Sequence, residues 1–253
     1  MEVNTIWTEQ ALIKSSETDF QKRLKLSGFF QLMQDIASNH ANHIGVGYEE
    51  LNRRALAWIL SRKKVRFFDF PLMGETVTLR TWPKGIQQKI FFMRDHEMTG
   101  ADGRLLAVST SAYVLVSTSA RRIMLPNALD HPLPDNNGLS ALDEILEKLP
   151  APDGEMQTCC SLPVGYSSVD IMGHVNNARY IEWIGDCFSL EEHRANRPHW
   201  LQINYLNEVL PGEQVALERG RRAGNPRVWY IAGSNTSTGT RAFEAEMGWE
   251  PIL

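Results

Sequence analysis

The 253-residue chain contains three cysteines, Cys159, Cys160 and Cys187. Their number is odd and two are adjacent, so they supply no disulfide framework and no metal-ligand spacing. A reducing compartment, the cytoplasm, is the simple expectation. No apolar run approaches the ~18 residues that a membrane-spanning helix needs. The opening "MEVNTIWTEQ" lacks the basic head and apolar stretch of a signal peptide. Net positive charge is also missing: the formal balance is −4, which argues against a nucleic-acid partner for the molecule as a whole. Nothing in the chain calls for a metal or a cofactor.

What is present is an ordinary globular composition, 43% hydrophobic and 22% charged. Basic residues gather at Arg53-Arg54, at Arg62-Lys63-Lys64, at Arg121-Arg122 and at Arg219 to Arg222. Such clusters read as solvated surface or as docking patches for an acidic partner. Residues 126–156 are punctuated by proline, Asn-Asn-Gly and Pro-Asp-Gly. They read as a linker with a short amphipathic helix near 139–149.

The halves on either side, 1–125 and 157–253, look like two copies of one plan. The stretch from Val65 to Met93 aligns without a gap, at an offset of 138, with that from Ile203 to Ile231. Gly74-Glu75 meets Gly212-Glu213, and Val77 and Leu79 meet Val215 and Leu217. Ile90-Phe91-Phe92 meets Val228-Trp229-Tyr230. Internal duplication is the reading. In each copy a strand precedes a long helix, and several strands with alternating or continuous apolar residues follow. Phe29, Leu32, Met33, Ile36, Ala37 and His40 share one helical face; Val175, Ala178, Ile181, Ile184 and Phe188 share another. A helix wrapped by an antiparallel sheet is the hot-dog arrangement, so the expected class is α+β with two tandem hot-dog domains.

The most unusual stretch is "VDIMGHVNNARYIEW", Val169 to Trp183. An acid, a histidine and two asparagines crowd in front of a helical pattern, where one capping residue would suffice. This motif resembles the signature of the acyl-acyl carrier protein (acyl-ACP) thioesterases of plants and bacteria. "LSGFFQLMQDIASNHA", "WILSRKKVRFFDFPLMGETVTLRTWP" and "MRDHEMTGADGRLLAVSTSAYVLVSTSARRIMLP" are similar to blocks of that family in the same order. The resemblance covers nearly the whole chain. It implies a tandem hot-dog fold, hydrolysis of fatty acyl thioesters, and acyl carrier protein as the partner.

One position departs from the plant pattern: Met172 stands where that family has asparagine. "DIMGHVNN" instead looks like the single hot-dog acyl-CoA thioesterases, in which the aspartate is the catalytic acid or base. An acyl-CoA thioesterase and a non-catalytic acyl-binding protein therefore stay open as alternatives.

Thioester hydrolysis needs a polarised carbonyl, an activated water or nucleophile, and a proton for the leaving thiol. Asp170 is the candidate general base or nucleophile, or simply a turn residue. His174 is the candidate for orienting carbonyl or water. The amides from Gly173 through Val175 to Asn176, at the positive end of a helix, are candidate oxyanion donors. Asn176 and Asn177 are expected chiefly to fix the helix entry. The resemblance adds Glu208 as a second acid. The plant family follows that glutamate with a cysteine, whereas this chain has Val209, which leans toward water activation by a carboxylate. Asn204 is a weaker candidate for a polar contact. Cys187 reads as core, and Cys159-Cys160 as strand.

The corresponding part of the first copy offers Asp19 but no histidine or asparagine pair. One active site per chain is expected, in the second copy, with the first forming the acyl pocket. Arg62 to Lys64 and Arg219 to Arg222 are candidate contacts for the acidic carrier protein. Monomer and homodimer are both feasible.

Overall fold

The computed structural model describes residues 4–136 and 138–252. The chain divides into two compact units, Met1–Leu146 and Glu147–Leu253. Residues 126–146 thus sit with the first unit and 147–156 with the second.

The first unit runs β1 (Trp7–Leu12), α1 (Leu26–His43), α2 (Tyr48–Arg53), β2 (Leu56–Phe67), β3 (Thr76–Gln87), β4 (Phe91–Gly100), β5 (Leu105–Ser117) and β6 (Arg122–Met124). Its antiparallel sheet has the order β1-β3-β4-β5-β2, with β6 on β5. The apolar stripe of α1 explains its place: Phe29, Phe30, Met33, Ile36 and Ala37 are all buried. Phe29 meets Phe67 and Phe70 edge-on, at centroid distances of 5.0 and 5.3 Å. Burial of each such side chain is worth about 1.5–3 kcal/mol.

The second unit repeats the plan with β7 (Gln157–Pro163), α3 (Asn177–Asp186), α4 (Leu190–Ala195), β8 (Asn196–Tyr205), β9 (Gln214–Arg222), β10 (Asn225–Asn235) and β11 (Thr240–Pro251). The order β7-β9-β10-β11-β8 mirrors the first sheet strand for strand. Both units are hot-dog folds. The helix is shorter than in the first unit. It stops at Cys187, and Ser189 starts α4 with a capping box to Glu192.

Register confirms the duplication and corrects one detail. Ile13 N donates to Glu75 O and Gly74 N to Ile13 O; Val164 N donates to Glu213 O and Gly212 N to Val164 O, all at 2.9 Å. However, Thr81 pairs with His96 while Arg219 pairs with Ile231. The offset of 138 therefore falls to 135 past the β3–β4 and β9–β10 hairpins, and Phe92 is not the structural partner of Tyr230.

The helix expected at 139–149 does not form. The segment is irregular, because its backbone groups are engaged by side chains of the sheet. Trp82, Lys84 and Arg62 donate to the carbonyls of Leu139, Leu142 and Leu146, and the Ala141 amide donates to Asp95 Oδ2 at 2.7 Å. Leu142 and Leu146 are buried, so apolar anchoring in an extended path replaces helical hydrogen bonding.

Candidate active site

The loop between β7 and α3 is built by local hydrogen bonds. A bridge between Val169 and Val175 closes it. Asp170 N donates to His174 O at 2.9 Å, and Gly173 N to Asp170 O at 3.0 Å. Asp170 Oδ1 accepts from Met172 N at 2.9 Å, an aspartate turn of the ordinary kind. Gly173 has φ +81°, which a residue without Cβ adopts at no steric cost. Val175 is buried, and its amide donates to Val209 O at 3.0 Å. That bond joins the loop to the segment after β8 and sets the two neighbouring side chains together. His174 Nε2 lies 3.1 Å from Glu208 Oε2. Both are partly exposed, at 31% and 43% of their side-chain area, so water and a ligand can reach them.

Tyr180, on α3, was not singled out by the sequence. It is buried. Burial, and then the charges of Asp170 and Glu208, hold its hydroxyl well above the ordinary phenol pKa. Tyr180 lies within the motif of Val169 to Trp183, but its helical phase, one residue before Ile181, reads only as core.

The other expected residues fall as follows. Asn176 is the helix cap, its Oδ1 accepting from Ala178 N at 2.9 Å. Asn177 opens the helix, and its carbonyl accepts from Tyr205 OH at 3.1 Å. The amides of Gly173, Val175 and Asn176 are all engaged within the chain, Asn176 N by Ser168 O. The oxyanion donors expected from 173–176 are therefore corrected. Among the described residues the turn leaves the His174 amide without a backbone acceptor. Asn204 is buried beside the carbonyl of Glu147, away from this loop. Cys187 is buried in the core, and Cys159 and Cys160 lie on β7.

The first unit carries the same loop with different chemistry. Asp19 N donates to Arg23 O at 2.8 Å and Lys22 N to Asp19 O at 3.0 Å, the pattern of Asp170, Gly173 and His174. Leu24 N donates to Pro71 O, as Val175 N does to Val209 O. Asp19 Oδ1 accepts from Gln21 N at 2.8 Å, as Asp170 Oδ1 does from Met172 N. Arg23 stands in the place of His174 and Phe70 in that of Glu208. The Arg23 guanidinium pairs with Asp19 at 3.2 Å and lies 5.9 Å from the Phe70 ring centre. The aspartate turn is therefore common scaffolding. The histidine–glutamate pair belongs to the second unit alone.

Family models for the acyl-ACP thioesterase N-terminal and C-terminal domains match residues 4–127 and 153–250. The chain belongs to the acyl-ACP thioesterase family. Hydrolysis of fatty acyl thioesters on acyl carrier protein is the activity that this family carries. Over 94% of its length the chain is 22% identical to oleoyl-acyl carrier protein thioesterase 2 of Arabidopsis thaliana, of which it spans 69%. It spans 62% and 52% of two further curated relatives. An acyl-ACP thioesterase of Bacteroides thetaiotaomicron matches with a TM-score of 0.82 at 23% identity, over 98% of each chain. The 12:0-ACP thioesterase of Umbellularia californica matches at 0.78 and 20%, again over 98% of each.

Two of the basic clusters expected to meet the carrier protein are occupied inside this thioesterase. Lys63 is buried, while Lys64 and Arg66 pair with Glu144 and Arg62 holds the Leu146 carbonyl. Arg219 pairs with Glu192 at 2.9 Å, and Arg222 pairs with Glu246 and donates to the carbonyls of Pro150 and Ala151. These side chains tie segments of one unit together. Among the described residues no helix is long and apolar enough to cross a membrane, and no group of three metal-ligating side chains occurs.

Proposed function

We propose that the chain releases free fatty acid from fatty acyl-ACP, and that the Glu208–His174 pair activates the attacking water. The single observation that carries this reading is the 3.1 Å contact between His174 Nε2 and Glu208 Oε2 at a partly exposed loop, absent from the otherwise equivalent loop of the first unit. His174 donates from Nε2 and holds the carboxylate. Glu208 takes a proton from water as the water oxygen bonds to the thioester carbon. The oxyanion forms beside the amide of His174, and one such donor is typically worth ~10²–10³ in rate. On collapse the C–S bond breaks, and the proton passes from Glu208 to the leaving sulfur. The products are a fatty acid and the free thiol of the carrier.

Asp170 orders the turn through Oδ1. Its second oxygen orients the water. The cytoplasm is the compartment that fits three free cysteines.

The experiment is release of free thiol and fatty acid from a series of acyl-ACP and acyl-CoA substrates by the purified protein. Higher kcat/KM on the carrier protein than on CoA for the same chain is the expected result. A preference for CoA would move the assignment to acyl-CoA hydrolysis. No thiol from either carrier would leave a binding protein.

A further inference from the structure

Among the described residues, the interior of the first unit holds two basic side chains, Lys63 and Arg94, that meet no carboxylate. Lys63 on β2, Ser111 on β5 and Arg94 on β4 lie side by side in one cross-strand row of the helix-facing side. The next row is Val65, Ser109, His96 and Thr81. All seven are buried, Lys63 at 2% and Arg94 at 8% exposure. Beyond them the face turns apolar, with Phe67, Ala107, Met98 and Leu79.

The polar groups have few partners. Arg94 Nη1 contacts His40 Nδ1 at 3.0 Å and Thr81 Oγ1 at 3.2 Å, both neutral groups. Lys63 Nζ lies 5.1 Å from the Phe30 ring centre. Among the described residues neither cation meets a carboxylate. Asp95, the acid next to Arg94 on β4, pairs with Lys84 instead. Ser111 Oγ lies against the buried Tyr113 hydroxyl, and His96 Nε2 faces the Met33 carbonyl; neither neighbour carries a negative charge. Burial lowers the Lys63 pKa to about 7. Burial and then the charges of Lys63 and Arg94 push His96 well below its usual value.

The fold does not require this arrangement. By the same register the second unit fills the first row with Leu201, Met247 and Trp229, and the second with Ile203, Ala245, Ile231 and Arg219. Two unpaired buried cations are costly unless something compensates them.

We propose that the interior of the first unit binds the carboxylate end of an aliphatic chain. Lys63, Arg94 and the Ser111 hydroxyl take the carboxylate, while Met33 and the row of Phe67, Met98 and Leu79 take the methylenes. A carboxylate suits the site because it offers one negative charge and two acceptor oxygens to donors arranged in a line. The ligand is a free fatty acid. The inference does not depend on the role given to Glu208.

The test is calorimetric titration of the full chain with decanoate and with decan-1-ol. Decanoate is expected to bind about tenfold or more tightly than the alcohol, as a charge-assisted contact gives. In Lys63→Met, which copies the apolar character of Leu201, the two ligands are expected to bind alike. Ser111→Ala serves as a second, milder variant and is expected to narrow the difference. Equal binding of both ligands by the wild type, or an unchanged preference in a folded Lys63→Met, would overturn the proposal. Binding of decanoate without any thioester turnover would sink the proposed hydrolase and leave this site standing.

Discussion

Glu208 of the second unit and Phe70 of the first occupy the same place after equivalent strands, one facing a histidine at 3.1 Å and the other an arginine at 5.9 Å. The duplicated loop has kept its backbone and exchanged its chemistry. Replacing Asp19 with alanine should therefore cost stability, by about 1 kcal/mol for a partly buried ion pair and its turn bonds. It should leave kcat/KM on acyl-ACP within about threefold, since nothing in the reaction is assigned to that loop. Thermal unfolding and steady-state kinetics on the same preparation check both halves of this expectation.

Asp170 has two oxygens with separable duties. Asp170→Asn keeps an acceptor for the Met172 amide and removes the charge; Asp170→Ala removes both. The asparagine variant should unfold at the wild-type temperature and lose about 10²-fold or more in kcat/KM. The alanine variant should lose activity and also about 1 kcal/mol of stability. An active asparagine variant would reduce Asp170 to a turn residue.

Asn176 caps α3 through Ala178 N. Asn176→Ala should cost about 1 kcal/mol, whereas Asn176→Ser should cost little, since serine also caps. Chemical denaturation measures this directly. The alanine variant should lose activity only as far as the helix start frays.

His40 is buried against Arg94, and burial, followed by the charge of Arg94, lowers its pKa to about 4. In the unfolded chain a histidine titrates near ~6.5. Between those values the unfolded state binds a proton that the folded state does not, so stability is lost as pH falls from about 6.5 to about 4 and this contribution levels off below. His40→Gln should flatten that part of the curve. The unfolding midpoint measured at pH 7, 5.5 and 4 for both proteins tests the sign.

Much of this was legible in the sequence, for physical reasons that can be named. Periodicity marked α1 because its buried residues recur at helical spacing, and the Gly-Glu turns at Gly74 and Gly212 marked the repeat because both backbones need left-handed glycine there. Of the motif from Asp170 to Asn177, His174 meets the distant Glu208. Their meeting is set by a backbone bond, Val175 to Val209, which no side-chain pattern announces. The segment at 139–149 misled because its apolar spacing satisfies two geometries, and long-range donors such as Trp82 and Arg62 decide between them. Lys63 looked like one more member of a basic cluster with Arg62 and Lys64; strand alternation sends it to the opposite face, where it is buried. Tyr180 was silent for the same reason that core residues usually are.

The most direct test of the account is a double-mutant cycle on kcat/KM for acyl-ACP, using His174→Ala, Glu208→Gln and the pair together. Each single change is expected to lower the rate by about 10²–10⁴, and the double variant to be scarcely worse than the poorer single one, because the two side chains act as a unit. Wild-type rates in a folded Glu208→Gln protein, or losses that multiply in the double variant, would contradict it.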